Sequence, residues 1–316
     1  MKPASLPRVA IATGDPAGIG PEISLKAARD PAVLALCEPV LFGARAVLAM
    51  HGAIGGVEIR EVKQARPRIG SVAPEHGRAA IAAAEAAIRG ALGGEYAAVI
   101  GAPHTETAIH AAGIAFDGYP SFVARVCGLP ADDAVLMLCF EHEGREVRIA
   151  HVTLHTSVAQ ALKMITQQRV VHALRAVHAA LGKLGIAGPR IAVGGVNPHA
   201  GESGAFGREE IEIVDPAIQE ARRAGISVDG PIGADTLIQR KSYDAYLVML
   251  HDQGHVAAKL LAPQRVAALT IGTPVLFSSV AHGSALDIAG QGKANPEAMI
   301  EAVTRLVGRR RRGAAT

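Results

Sequence analysis

Short apolar runs of five to eight residues, each closed by Gly, Pro, His or Asn, alternate along this chain with alanine-rich stretches of helical period. A strand buried on both faces reads as a continuous apolar run, and runs that alternate with helices are the pattern of βα units. The expected fold class is therefore α/β with mainly parallel sheets. At 316 residues the chain is long enough for two such subdomains with a substantial core. Aromatic residues are only 3% of it and Trp is absent, against 49% hydrophobic overall, so small aliphatic side chains must fill the interior.

Several function classes fall away on composition. Cys37, Cys127 and Cys139 form no CxxC pair, and their odd number argues against a disulfide framework. The first sixteen residues lead into Gly14-Asp15-Pro16 rather than a small-residue cleavage site, and no window holds the ~18 apolar residues of a membrane helix. A soluble, cytoplasmic protein without a membrane partner is expected. The net charge of +3, less the four arginines 309–312 of a terminal basic tail, leaves −1 for the body. No basic stripe interleaved with aromatics accompanies it, which speaks against a nucleic-acid partner.

Loops that follow the apolar runs carry the polar residues. Arg8–Ala12 empties into Thr13-Gly14-Asp15-Pro16-Ala17-Gly18-Ile19-Gly20-Pro21-Glu22, a fixed turn before a helix at 23–28. Its amides can face an anion, but a purely structural turn fits as well. A helix is predicted over 74–92 from its alanine content. The run 96–100 then delivers Pro103-His104-Thr105-Glu106, and Gly118-Tyr119-Pro120-Ser121 follows. Ligands of open α/β sheets bind beyond the carboxyl ends of strands, so these loops are candidate pocket walls.

Three further runs, 147–153, 190–196 and 245–250, end near His155, His199 and His251. Equivalent strand ends would present the three imidazoles from one sheet edge, and three imidazoles with an open fourth position form a catalytic zinc pattern. His51, His76, His172 and His178 read as surface residues. Between the second and third histidines, Asp235 closes the turn 229–236, either as a cap for a helix at 237–240 or as an acidic pocket residue. The segment from Met249 adds Asp252 and Lys259 to His251.

Together GDPAGIGPE (14–22), NPHAGESGAFGREE (197–210), GPIGADT (230–236), MLHDQGH (249–255) with Lys259, and HGSALDIAGQGKANP (282–296) resemble the 4-hydroxythreonine-4-phosphate dehydrogenase family. The resemblance runs from Val9 to about Leu306, with the motifs in order. It implies a two-lobed α/β/α fold like that of isocitrate and isopropylmalate dehydrogenases. Residues 1–125 with 270–316 would form a cofactor-side lobe, and 126–269 a metal and dimerisation lobe. It places a divalent metal, zinc first, on His155, His199 and His251. It assigns Gly283, Ser284, Asp287 and Asn295 to a dinucleotide, with Gly14 and Asp15 of the first turn. NAD is expected over NADP, because Lys293 is the only basic residue between Asp287 and Asn295. Lys259 would meet the substrate, and Lys259, Asp235 and Asp252 would share the proton chemistry. The resemblance also implies a homodimer whose subunits complete each other's active site.

Where phosphate-substrate members carry Gly-His-Thr-Glu, an Asn before Ile-Thr-Leu-Gly, and an Arg before Thr-Ser-Val, this chain has Tyr119-Pro120, Ala268 and Phe277. Those stretches, with Pro103–Ser121 and HVTLH (151–155), look like the branch that oxidises terephthalate cis-dihydrodiol. On that branch His104, Thr105, Tyr119 and Ser121 would line the substrate. The expected activity is oxidative decarboxylation of a cis-dihydrodiol carboxylate to a catechol acid such as protocatechuate. The alternatives are oxidation of 4-phosphohydroxy-L-threonine or a related phosphorylated hydroxy acid, and a non-catalytic binding protein on the same fold. The last would predict a broken triad or a missing lysine, whereas His155, His199, His251 and Lys259 are all present.

Overall fold

The computed structural model describes residues 6–64, 66–263, 265–280 and 282–308. The Arg309–Arg312 tail lies outside them. Two compact units appear: Met1–Ala131 with Thr273–Thr316, and Asp132–Gly272. The divisions fall a few residues beyond the expected 125/126 and 269/270. Eleven strands run in chain order among the described residues: β1 (Arg8–Ala12), β2 (Glu38–Gly43), β3 (Glu58–Glu61), β4 (Ala98–Gly101), β5 (Val135–His142), β6 (Arg145–His151), β7 (Arg190–Gly194), β8 (Ser227–Ile232), β9 (Ala245–Val248), β10 (Ala267–Ile271) and β11 (Phe277–Val280).

In the first unit the strand order is β3-β2-β1-β4-β11, and every pairing is parallel. Val9, Ala10, Ile11 and Ala12 are all fully buried, as a central strand covered on both faces requires. The helix Pro74–Leu92 buries Ala80, Ala83, Ala84 and Ala87, and residues without a long side chain let its backbone come close to the sheet. Gly101 at the end of β4 sits directly under two rings. A Cβ there would lie 2.8 Å from Phe277 Cζ and 2.9 Å from Tyr119 Cζ.

The second unit has the order β10-β5-β6-β9-β7-β8. Strands β6, β9, β7 and β8 pair in parallel, while β10, β5 and β6 pair antiparallel. The β5–β6 hairpin turns through Glu143 and Gly144, both at positive φ, as a two-residue hairpin loop demands. Its core holds Phe140, Ile149, Tyr246 and Leu237.

Strand ends differ from the sequence expectation in a consistent way. β6 stops at His151, β7 at Gly194 and β9 at Val248, two residues short of the apolar runs. The apolar residues that follow, such as Val152 and Met249, stay buried without extending the ladder. Helices begin earlier than expected: Gly20–Ala28 instead of 23–28, and Ala234–Leu237 instead of 237–240. Asp235 therefore lies inside the first turn of its helix, and Gly233 is the cap. Cys37, Cys127 and Cys139 are all free. No helix among the described residues is long and apolar enough to cross a membrane.

Gly101→Ala should destabilise the folded protein by about 1–3 kcal/mol, because the added methyl must displace two packed rings. Urea unfolding reads this directly, and an unchanged midpoint would mean the ring pair yields without cost.

Candidate metal centre and cofactor loop

Because β6, β9 and β7 are adjacent and parallel, the chain leaves all three at one edge of the second unit. His155, His251 and His199 follow those ends by four, three and five residues. His155 and His251 come together, with ring centroids 5.6 Å apart and planes at 47°. Metal–nitrogen bonds of about 2 Å put the centroids of two rings on one ion roughly 5–6 Å apart, so this pair fits a shared divalent ion. His251 opens the helix His251–Leu261, and its Nδ1 lies 2.7 Å from Asp252 Oδ1. That contact holds the Asp252 carboxyl below its ordinary range. With Nδ1–H donating to the carboxylate, Nε2 is left as a lone-pair ligand, the usual arrangement behind a ligating imidazole.

His199 is placed differently, and the strand-end argument needs correction here. Its ring stands edge-on to Phe206 at 6.1 Å, and its Nδ1 is 3.6 Å from Glu202 Oε2. No group of three His, Cys, Asp or Glu among the described residues is set as a ready ligand sphere. The cause is local. His199, Ala200, Gly201, Glu202 and Ser203 run consecutively at φ between 43° and 79°, a left-handed turn that carries the imidazole away from β7.

Four residues with a Cβ in that conformation cost about 4–8 kcal/mol together. The offset comes from Glu210, which is 2% exposed and which the sequence reading passed over. Its Oε1 accepts from the amides of Val196 (2.7 Å) and Asn197 (2.8 Å), and its Oε2 accepts from Asn197 Nδ2 (2.9 Å). Three hydrogen bonds to a buried charge contribute about 5–9 kcal/mol, enough to hold the turn. Gly201 and Gly195 leave room for it, since a Cβ on Gly201 would lie 2.6 Å from Glu210 Oε2 and one on Gly195 3.0 Å from Oε1. The only sequence signal was a charged pair, Glu209-Glu210, just after a glycine-rich loop.

Two more histidines belong to this region. His151 is 2% exposed and His255 is half-buried; their rings lie 4.8 Å apart, and His255 stacks on His251. Burial holds His151 down to about 3 and His255 down to about 4, the latter helped by His251, so both are neutral near pH 7. His251, His255 and Lys259 recur at intervals of four along one helix face, a spacing legible in the sequence. Lys259 is exposed in the last turn. Asp235 and Asp252 are both exposed and line one cavity of about 650 Å³ in this unit. Of the histidines expected on the surface, His76 is buried with Nδ1 on Ser71 O, and His51, His172 and His178 are half-buried.

In the first unit the loop 282–296 closes on the turn after β1. The Ile19 amide donates to Ser284 O at 2.9 Å, and a Cβ on Gly18 would lie 2.7 Å from Ser284 Cβ. Lys26 Nζ reaches Glu22 Oε1, Gly292 O and Ala294 O, while the Ala294 amide donates to the same Glu22 oxygen. Gly14 has φ +71° and approaches Pro103 O so closely that no side chain fits. Asp15 is buried, with Oδ1 accepting from the Ala17 amide. Gly14 and Asp15 are thus framework for the turn rather than open cofactor contacts. Gly283, Asp287 and Asn295 are exposed, and the Cβ side of Gly283 faces open space. A backbone approachable at that point suits a dinucleotide.

The expected substrate wall is revised. Tyr119 is buried and donates its hydroxyl to Ala102 O, and Phe277 is fully buried. Both belong to the core, with ring centroids 4.8 Å apart. Ser121 Oγ is committed to Asp117 Oδ1 at 2.5 Å. Thr105 Oγ1 donates to Ser284 Oγ, which ties the loop after β4 to the loop 282–296. His104 is wedged edge-on between Phe116 (4.8 Å) and Tyr119 (4.7 Å), with Nδ1 buried and unpartnered among the described residues. Burial lowers its pKa against the pull of Glu106 and Asp15.

A family model described as pyridoxal phosphate biosynthetic protein PdxA matches residues 34–306. The chain belongs to the PdxA family. It is 44% identical over 308 residues to a 1,2-dihydroxy-3,5-cyclohexadiene-1,4-dicarboxylate dehydrogenase from Comamonas sp, covering 95% of this chain and 96% of that one. Among solved structures, a terephthalate 1,2-cis-dihydrodiol dehydrogenase from Burkholderia xenovorans LB400 is 42% identical with a TM-score of 0.75, over 96% of this chain and 98% of the other. A 4-hydroxythreonine-4-phosphate dehydrogenase from Klebsiella pneumoniae has a TM-score of 0.82 at 33% identity, over 95% and 98%. The chain also shares its fold with a β-decarboxylating dehydrogenase from Thermococcus kodakarensis (17% identity, TM-score 0.55) and an isocitrate dehydrogenase from Methylococcus capsulatus (16%, 0.51), a likeness of fold alone.

Two outcomes follow from this geometry. Glu210→Ala removes all three hydrogen bonds and should destabilise the protein by about 5 kcal/mol or more in urea unfolding; a loss under about 1 kcal/mol would show that the left-handed turn stands without it. His104 takes a proton at an ordinary value of about 6.5 when unfolded and resists it when folded. Its contribution is therefore fully present above that pH and is lost as pH falls below it. In chelator, His104→Phe should flatten the decline of the melting temperature between pH 7 and 5, and an unaltered slope would refute this.

Proposed function

We propose that this chain is a metal- and NAD-dependent dehydrogenase that oxidatively decarboxylates a cis-dihydrodiol carboxylate of the 1,2-dihydroxy-3,5-cyclohexadiene-1,4-dicarboxylate type to a catechol acid such as protocatechuate. The observation that carries the substrate choice is at Phe277. A fully buried ring stands where the phosphate-substrate pattern has an arginine, and Ala268 stands where it has an asparagine. A phosphate dianion in a partly dry site requires donors of that kind. The 44% identity to a dehydrogenase named for this substrate points the same way.

In this reading a bound divalent ion would polarise the substrate's oxygens, and a bound nicotinamide would serve as the hydride acceptor. His155, His199 and His251 hold the ion; the His155–His251 separation fits, and His199 belongs to the set by the family resemblance. Zinc heads the candidates, though three imidazoles accept other divalent ions. Asp252 orients His251 through Nδ1. Lys259, exposed on the same helix face, either binds a substrate carboxylate or carries the proton that the hydroxyl gives up on oxidation back to the ring oxygen as CO2 leaves. Asp235 is a second exposed carboxylate beside Asp252 for that proton. Gly283, Ser284, Asp287 and Asn295 receive NAD, with Ser284 anchored through Thr105.

We further propose a homodimer, acting in the cytoplasm, in which the partner subunit completes the ligand set that one chain leaves open. Val256, Leu260 and Leu261 support it: all three are exposed apolar side chains on the wall of the cavity that Asp235 and Asp252 share.

The deciding experiment follows reduced-nicotinamide absorbance with NAD and a divalent metal, on the terephthalate dihydrodiol and on 4-phosphohydroxy-L-threonine in parallel. Turnover of the diol with release of a catechol acid is expected, and turnover of the phosphate alone would overturn the substrate. His199→Ala should lower kcat by at least about a thousandfold with loss of bound metal; full activity in that variant would remove His199 from the ligand set.

A further inference from the structure

We propose that His255 is a positioning residue: its flat ring, braced at its edge by His151, fixes the plane of the His251 imidazole for metal binding. The inference rests on His251 being a metal ligand, as proposed above. His251 sits at the first position of its helix with a side chain 34% exposed, so the helix backbone alone leaves its ring free to turn. Two contacts remove that freedom. Asp252 fixes one nitrogen, as described. The second contact is the stack, in which the centroids of His251 and His255 are 3.7 Å apart and the planes 8° apart.

A stack positions a ring only if its partner is itself held, and His255 is held on two sides. Its Nδ1 lies 3.2 Å from His251 O. A carbonyl only accepts, so Nδ1 carries the hydrogen and the ring is anchored one helical turn back. Its edge meets His151, with centroids 4.8 Å apart and planes at 49°, and His151 stands 6.4 Å from His251. His151 is fixed in turn by Nδ1–H to Leu136 O on β5, at 3.2 Å. The helix can come down onto His151 only because residue 254 is glycine; a Cβ there would collide with His151 Nε2. A rigid path of rings thus runs from the sheet, through His151 and His255, to His251. The Asp252 carboxylate is exposed and could not secure the ring alone, since an exposed ion pair is worth little.

The test separates a flat ring from mere volume. Co(II) is titrated into metal-free protein and its visible bands give the dissociation constant, for wild type, His255→Leu, His255→Phe and His251→Ala, with circular dichroism of each metal-free form. Groups that orient a ligand typically cost 10–100-fold in metal affinity when removed. His255→Leu should therefore weaken Co(II) binding by about tenfold or more, while His255→Phe, which keeps the plane, stays within about threefold of wild type. His255→Gln takes the place of the leucine variant if that one does not fold. Wild-type affinity in His255→Leu, with binding lost in His251→Ala, overturns the proposal and leaves the metal reading standing. Equal losses in the leucine and phenylalanine variants also overturn it, because the imidazole hydrogen bond rather than the stack would then be what matters. Wild-type affinity in His251→Ala removes the metal reading, and this proposal with it.

Discussion

One buried carboxylate governs what the second unit can present at its strand ends. Glu210 gathers the amides of Val196 and Asn197 and the Asn197 side chain, and with them fixes the departure of the chain from β7. Without such an anchor a run of residues carrying Cβ atoms would relax toward right-handed geometry, and His199 would swing back toward the sheet. The neighbouring π-turn, Glu210–Val214, fits this role, because one extra residue per turn re-aims the glutamate toward the loop. The loop that carries His199 is thus held from beneath by charge and backbone rather than by apolar packing.

The first unit solves a related problem with cation and carboxylate together. Glu22 is 1% exposed, and its Oε1 serves both Lys26 Nζ and the Ala294 amide. Lys26 in turn satisfies two carbonyls of the loop 282–296. Half of this pair is solvated at the lysine, which spares it most of the desolvation that a fully buried ion pair suffers. The loop therefore keeps a set shape while Gly283, Asp287 and Asn295 stay open to solvent.

Much of this was legible in the sequence, and the limits have physical causes. Apolar runs located the parallel strands because burial on both faces leaves no other composition, and the alanine-rich helix 74–92 is found at Pro74–Leu92. Strand ends were overrun because Val152 and Met249 are buried as strand residues are, and periodicity cannot tell a buried loop residue from a paired one. His155 and His251 were visible as residues past strand ends. The displacement of His199 was not, since a left-handed run of Ala, Glu and Ser has no compositional mark. Tyr119 and Phe277 were rightly singled out as unusual, but a difference from a family pattern does not say whether a ring faces a ligand or a core. Both pack over Gly101, in the core.

The order β6-β9-β7 has a kinetic consequence. His155, His199 and His251 are separated by about 45 and 50 residues of chain, and β6 meets β9 only after β7 and β8 have been set aside in the intervening segment. Pairings of that sequence separation close late, because loop entropy must be overcome before the contacts form. His155, His199 and His251 are therefore brought to one edge of the sheet late in folding. On the proposed ligand set, an ion held by all three imidazoles would report that the sheet has closed and would stabilise the finished unit.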